Sequence, residues 1–165
     1  MNLHKKNIIQ NLKIGIITIS STRTLADDES GKWMNKTSQK EGHEVILHKV
    51  IPDDLELISK TVLDSISDYS PHALLLTGGT GIASKDLTIE AVRPLFEKEL
   101  TSFGPIFSQL SFEEVDSSAI LSRATAGIIQ KTIVFCLPGS FKACKLACES
   151  LIFPELTHII KHINE

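Results

Sequence analysis

The chain has no surplus of positive charge: 17 Lys and Arg stand against 20 Asp and Glu, a formal charge of -3. A general grip on nucleic acid or on an anionic membrane needs the opposite balance, so neither is expected as a partner. No apolar run approaches 18 residues, and Met1 to Asn11 is too polar for a secretory signal. A cytoplasmic protein is the expectation, with residues 1–11 as a flexible leader. Cysteine is scarce: Cys136, Cys144 and Cys148 are odd in number and lack the spacing of a disulfide framework. Cys144 and Cys148 lie four apart on an apolar helical face and read as packing. His158 and His162 share that spacing, but the sequence points to no third or fourth zinc ligand. The chain also lacks a Walker A loop, because no Gly-Lys-Ser/Thr closes its one glycine-rich segment. Ser84 stands where a dinucleotide fingerprint would have its third glycine.

The 165 residues fit one domain, large enough to bury roughly 70% of the unfolded surface. Four short apolar runs, Lys13–Ser20, Glu44–Val50, Ala73–Thr77 and Thr132–Leu137, are each followed by a loop and a helix-like stretch. The first, third and fourth are nearly continuous in Ile, Leu and Val, as in strands covered on both faces. Between them, Leu55, Ile58, Val62, Leu63 and Ile66 recur at helical spacing behind the start signal Pro52-Asp53-Asp54. Phe141 to Ile152 carries a broad apolar helical face, and a last helix is expected from about Pro154 to Ile163. Pro105 to Gly127 reads as a helix or two, then an irregular insertion or hairpin around Leu121–Ile129. Strands alternating with helices predict a single α/β domain over residues 1–165, a three-layer doubly wound sheet, mostly parallel, with helices on both faces.

In such sheets ligands bind outside the carboxyl ends of the strands. The segments there are Ser20-Ser21-Thr22-Arg23-Thr24, Pro52-Asp53-Asp54, Thr77-Gly78-Gly79-Thr80-Gly81 leading to Asp86, and Pro138-Gly139-Ser140. All are small, polar or anionic. The three glycines let backbone N–H groups approach an anion and supply positive φ. Ser140 is placed to cap a helix whose first turn also favours an anion. Asp53 and Asp86 each stand where an aspartate can cap a helix. Together, beside the glycine loop, they suit Mg²⁺ with its waters and ligand phosphates. Asp54 is an equal candidate to Asp53 on this reading. Arg23 and Arg123 are the cations set in small, polar, loop-like contexts.

The run Thr77-Gly78-Gly79-Thr80-Gly81-Ile82-Ala83-Ser84-Lys85-Asp86-Leu87-Thr88-Ile89-Glu90-Ala91 resembles the signature of the MoaB/MogA family of molybdenum cofactor biosynthesis proteins. The resemblance continues through Phe103-Gly104, Leu110-Ser111, Leu121-Ser122-Arg123-Ala124, Ala126-Gly127 and Leu137-Pro138-Gly139-Ser140, and ends in Leu151–Leu156, the last like the MoaB branch. It implies the MogA-like molybdopterin-binding fold, assembled as a homotrimer or homohexamer. It also implies transfer of AMP from ATP to the terminal phosphate of molybdopterin, with Mg²⁺ assisting and pyrophosphate released. The family's two catalytic aspartates fall on Asp53 and Asp86. Its pterin- and nucleotide-binding elements fall on Thr77–Gly81 and Pro138–Ser140, and Ser20, Glu90 and Arg123 lie in matching motifs. Other proteins of the cofactor pathway are the implied protein partners. A non-catalytic molybdopterin-binding or scaffold protein of that pathway is the alternative. Three positions depart from the family pattern: Pro105 and Ser108 stand where a charge is usual, and Lys85 replaces an arginine before Asp86.

Overall fold

The computed structural model of the chain describes residues 11–165. The expected flexible leader thus falls outside the described residues except at Asn11, whose backbone N–H donates to the Gly42 carbonyl at 2.9 Å. Among the described residues, six strands form one sheet: β1 (Lys13–Ile19), β2 (Glu44–Ile51), β3 (Ala73–Thr77), β4 (Lys98–Glu99), β5 (Thr125–Ile129) and β6 (Thr132–Leu137), in the order β2-β1-β3-β6-β5-β4. Neighbours among β2, β1, β3 and β6 run parallel, whereas β5 is antiparallel to β6 and β4 to β5. From β1 the chain first builds outward to β2, then returns to add β3 on the other side. Strand order therefore reverses between β1 and β3, and the crevice beyond their carboxyl ends is the topological switch point.

Among the described residues, six α-helices cover the sheet: α1 (Glu29–Lys40), α2 (Leu55–Tyr69), α3 (Thr88–Val92), α4 (Phe103–Val115), α5 (Phe141–Ala147) and α6 (Phe153–Ile163). Side chains alternate across a strand, and β3 shows the consequence. Leu75 packs in one apolar layer with Met34 of α1, Phe107 of α4, Cys144 of α5 and Ile160 of α6. Leu74 and Leu76 pack in the other, with Ile58, Val62 and Ile66 of α2 and Ile89 and Val92 of α3. Both faces are dry, which is why this strand is apolar at every position but its last. Phe107 and Phe135 are fully buried, and truncating either to Ala costs about 3–5 kcal/mol by analogy with other cores.

One open expectation is decided and one feature is new. Of the irregular insertion and the hairpin expected around Leu121–Ile129, the hairpin forms: after a 3₁₀ turn at Asp116–Leu121, β5 pairs with β6 from Thr125↔Cys136 to Ile129↔Thr132. Gln130, at φ 55°, makes the tight connection. Gly127 interrupts the apolar pattern of β5. That glycine is needed, since a Cβ there would meet the Phe96 ring at 2.3 Å. The two C-terminal helices are joined by a π-helical turn, Cys148–Ile152. Pro154 has no N–H to continue an α-helical ladder and its ring crowds the preceding turn, so the widened turn admits it. Pro105 falls in the first turn of α4, where N–H groups have no partner within the helix, so that departure costs the helix little.

Two histidines make stability depend on pH. His43 Nδ1 accepts from the Leu12 N–H at 3.4 Å, and His72 Nδ1 accepts from the Lys13 N–H at 2.9 Å, pinning the start of β1. Burial lowers the pKa of both below the ordinary 6.5; the neighbouring Lys13 adds to the effect at His72. The unfolded chain therefore binds these protons more readily. Their contribution is complete above pH 6.5 and is lost as the pH falls through the lowered values. Chemical denaturation should show falling stability on acidification from pH 7 to 5. His43→Gln with His72→Gln should flatten that slope; an unchanged slope would remove the histidines as its cause.

Candidate functional site

The loops after β1, β2, β3 and β6 meet at the switch point, and each is shaped by bonds that cross the chain. After β1, the Ser20 hydroxyl accepts from the backbone N–H of Thr22 at 3.3 Å and of Arg23 at 3.1 Å, folding the loop onto itself. Arg23 then reaches across to donate to the Gly139 carbonyl at 3.3 Å, tying this loop to the one after β6.

After β2, the adjacent aspartates separate in role. Asp54 Oδ1 accepts from the Leu57 N–H at 2.8 Å and caps α2. Asp53 does not cap the helix. Its Oδ2 accepts from the N–H and hydroxyl of Ser21 at 3.0 and 2.7 Å. Its Oδ1 lies beside Gly79, 3.3 Å from where a Cβ would stand, and has no hydrogen-bond donor among the described residues.

After β3, Thr77 is buried and donates from Oγ1 to the Pro138 carbonyl at 2.9 Å, so the glycine loop starts from the same point as the loop after β6. Gly78 and Gly79 have φ of 97° and 66°, in the region that favours glycine. At Gly78 a Cβ would lie 2.2 Å from the Ile19 carbonyl oxygen. Thr88, at the start of α3, closes the loop: its Oγ1 donates to the Gly78 carbonyl at 2.7 Å and its N–H to Gly79 at 3.0 Å. Asp86 does not cap α3, whose cap position is Leu87 without a side-chain bond. Instead its Oδ2 accepts from the Ala83 N–H at 2.9 Å and lies 2.7 Å from a Cβ position on Gly81. Its Oδ1 is left without a donor among the described residues, as at Asp53.

Arg123 and Glu90 are given to each other. The guanidinium contacts both Glu90 carboxylate oxygens, at 2.6 and 3.2 Å, while Nε donates to the carbonyls of Thr80 and Gly81 at 3.0 and 3.1 Å. The bond to Arg123 holds Glu90 below the ordinary carboxylate range and raises Arg123 in turn, so the pair is ionised and internally neutral. A two-pronged contact of this kind fixes orientation as well as charge. After β6, Ser140 caps α5, accepting from the Ala143 N–H at 3.3 Å. Gly139 approaches Gly78 so closely that a Cβ would lie 3.2 Å from its Cα. Burial pushes the Cys136 thiol up to about 12 and Cys144 to about 11, so neither is a nucleophile at neutral pH.

The structure thus brings Asp53, Asp86 and the loops of Thr77–Gly81 and Pro138–Ser140 together, with Ser20 as a loop former. Ser21 and Thr88, which hold Asp53 and the glycine loop, carry no mark in the sequence that sets them apart. Both lie inside runs singled out above, but a small hydroxyl residue in a polar loop has no periodicity to mark it.

Residues 15–158 match the family model described as a probable molybdopterin binding domain. The chain belongs to the MoaB/MogA family of molybdenum cofactor biosynthesis proteins. It is 45% identical over 163 residues to molybdenum cofactor biosynthesis protein B of Bacillus subtilis, covering 98% of this chain and 96% of the relative. It is 38% identical over 170 residues to the probable molybdopterin adenylyltransferase of Methanocaldococcus jannaschii, covering 99% of each. The crystal structure of the tungsten cofactor synthesizing protein MoaB from Pyrococcus furiosus superposes with a TM-score of 0.85 at 39% identity, over 94% of this chain and 98% of that one. The doubly wound, mostly parallel α/β sheet is the architecture of these relatives as well.

Proposed function

We propose that the protein is a molybdopterin adenylyltransferase, acting in the cytoplasm on molybdopterin and ATP. The observation that carries this reading is the pair of free carboxylate oxygens, Asp53 Oδ1 and Asp86 Oδ1, flanking one glycine loop at the switch point of the sheet. In the reaction a phosphate oxygen of molybdopterin attacks the α-phosphorus of ATP. A new P–O–P bond forms, the bond between the α- and β-phosphates breaks, and pyrophosphate leaves with the bonding pair. Two anionic phosphates must meet, and each pair of unit charges at ~4 Å repels by about 4 kcal/mol at an effective dielectric of 20. The two carboxylates fit Mg²⁺, which takes one or two protein carboxylates together with substrate phosphates and supplies charge neutralisation to the leaving group. The Gly78 N–H is taken by the Leu137 carbonyl at 3.0 Å, so the phosphates would be lined by the backbone N–H groups of Gly79–Gly81 and of Gly139 and Ser140. Ser21 orients Asp53, and the Glu90–Arg123 pair holds the glycine loop in shape. No protein nucleophile is required, in keeping with the high thiol pKa values. The M. jannaschii relative's name points the same way.

A pterin-binding protein without catalysis is the second reading, favoured by the tie between Arg123 and Glu90, which removes a half-buried cation from substrate contact. Incubation of the protein with ATP, Mg²⁺ and molybdopterin should yield adenylylated pterin and pyrophosphate in equal amounts. Tight pterin binding with no pyrophosphate would sink the first reading and leave the second. The active form is proposed to be a homotrimer or homohexamer. Supporting that, Ile106, Phe112, Val115, Ile120 and Leu121 stand exposed on α4 and the 3₁₀ turn after it, Ile120 at 85%. Light scattering of the assayed preparation should give three or six chains, and a monomer would overturn the assembly.

A further inference from the structure

Helices α1 and α5 carry five lysines, Lys32, Lys36, Lys40, Lys142 and Lys145, against one carboxylate, Glu29, in a chain of formal charge -3. Both lie on the same face of the sheet, held by buried Met34 on α1 and by Cys144 and Ala147 on α5. They follow the parallel strands β1 and β6, so they return in the same direction. Their flanks meet at Trp33 and Phe141, whose rings stand edge to face with centroids 5.9 Å apart and planes at 77°. Phe141 is 41% exposed and Trp33 is half-buried. Lys36 and Lys40 continue the flank of Trp33 along α1, and Lys145 continues that of Phe141 along α5. An aromatic centre opens onto a basic margin.

Among the described residues no carboxylate balances this margin. Lys36, Lys40, Lys142 and Lys145 are exposed, and none of them forms an ion pair. Glu29 and Glu41 at the ends of α1 and Glu149 beyond α5 stay outside ion-pair distance of all four. Only Lys32 is engaged, its ammonium donating to the Ala26 carbonyl. Like charges four apart on one helix, as at Lys36 and Lys40, oppose folding rather than support it. They are useful against an anionic partner. Aromatic residues at the centre supply contact area in protein interfaces, while rim charges steer a partner of opposite sign. A long polyanion such as nucleic acid would run beyond the patch into the field of a chain that is negative overall. A short acidic segment stays within a Debye length of the lysines, ~8 Å at physiological salt, and feels them first.

We propose that the surface of α1 and α5 docks an acidic protein segment carrying one bulky apolar side chain. That side chain seats on Trp33 and Phe141 while the carboxylates meet Lys36, Lys40 and Lys145. Trp33 is the only tryptophan of the chain, so its emission reports on this surface directly. The test is titration of the full chain with a polyglutamate peptide bearing one central phenylalanine. Trp33 emission should shift and saturate at one peptide per chain, and added salt should weaken the binding. Lys36→Glu combined with Lys145→Glu should weaken it at least tenfold. Lys131→Glu, on the turn between β5 and β6, should leave it unchanged. Phe141→Ser should abolish the preference of wild type for this peptide over one with serine in place of phenylalanine. Asp86→Asn should bind the peptide like wild type, which keeps this proposal separate from the proposed function. The substituted side chains are exposed, so the variants should melt like wild type. A wild-type protein that does not bind the peptide would overturn the proposal, as would binding unaltered by the double lysine variant. Equal affinity for a thymidine oligonucleotide of the same charge would also overturn it. So would loss of self-association in the double lysine variant by light scattering, which would give the surface to another copy of the chain.

Discussion

Asp86→Asn is expected to lower adenylyl transfer at least about hundredfold while leaving the fold intact. The amide keeps an oxygen to accept from the Ala83 N–H, so the turn that carries residue 86 survives. What is lost is one negative charge facing the ligand phosphates, where removal of a single preorganised group costs about 10²–10³ in rate. Asp53→Asn should do the same, since Ser21 still has an oxygen to which it can donate. The neighbouring residue is the control. Asp54 is occupied as the cap of α2, so Asp54→Ala should cost about 1 kcal/mol of stability and leave the rate nearly unchanged. Initial rates of pyrophosphate release across these variants, with melting curves alongside, decide the matter. Full activity in Asp53→Asn together with a dead Asp54→Ala would reverse the assignment. Full activity in Asp86→Asn would end the adenylyltransferase reading in its present form.

Gly78→Ala is expected to be the most damaging single methyl group in the molecule. Its φ of 97° is strained for any other residue, and the added Cβ would fall 2.2 Å from the Ile19 backbone oxygen. Strain of this kind costs about 1–3 kcal/mol, and forcing a methyl into packed backbone costs a similar amount. A loss of about 3 kcal/mol follows, or a melting temperature lower by roughly 10 °C for a domain of this size. Gly42→Ala separates the two causes, because φ there is 87° but nothing lies within 4 Å of the new Cβ. It should cost only about 1 kcal/mol. Equal melting shifts for the two variants would show that the contact with Ile19 is not what makes Gly78 necessary.

Much of the architecture was legible from local pattern. The runs at Ala73–Thr77 and Thr132–Leu137 coincide with β3 and β6, and the periodicity of Leu55 to Ile66 falls within α2. Such patterns survive because each reports only which side of an element is buried. The hairpin of β5 and β6 was less legible, since the steric need for Gly127 comes from Phe96, thirty-one residues earlier.

Chain order and hydrophobic period determined by themselves that this is an α/β domain, and that small, polar and acidic segments follow its strands. The motifs placed it in its family. Which atoms remain open for chemistry was decided only by the tertiary structure. Asp53 and Asp54 are the same residue type at adjacent positions. They part company because the backbone sends one toward the first turn of α2 and the other toward Ser21, 32 residues away. Arg123 reads as a free cation until the fold brings Glu90 and the Thr80 and Gly81 carbonyls to it, and Arg23 likewise finds the Gly139 carbonyl across 116 residues. The physical reason is the same in each case. Local spacing sets dihedral angles and burial, but hydrogen-bond partners at the end of a doubly wound sheet come from the order in which its strands assemble.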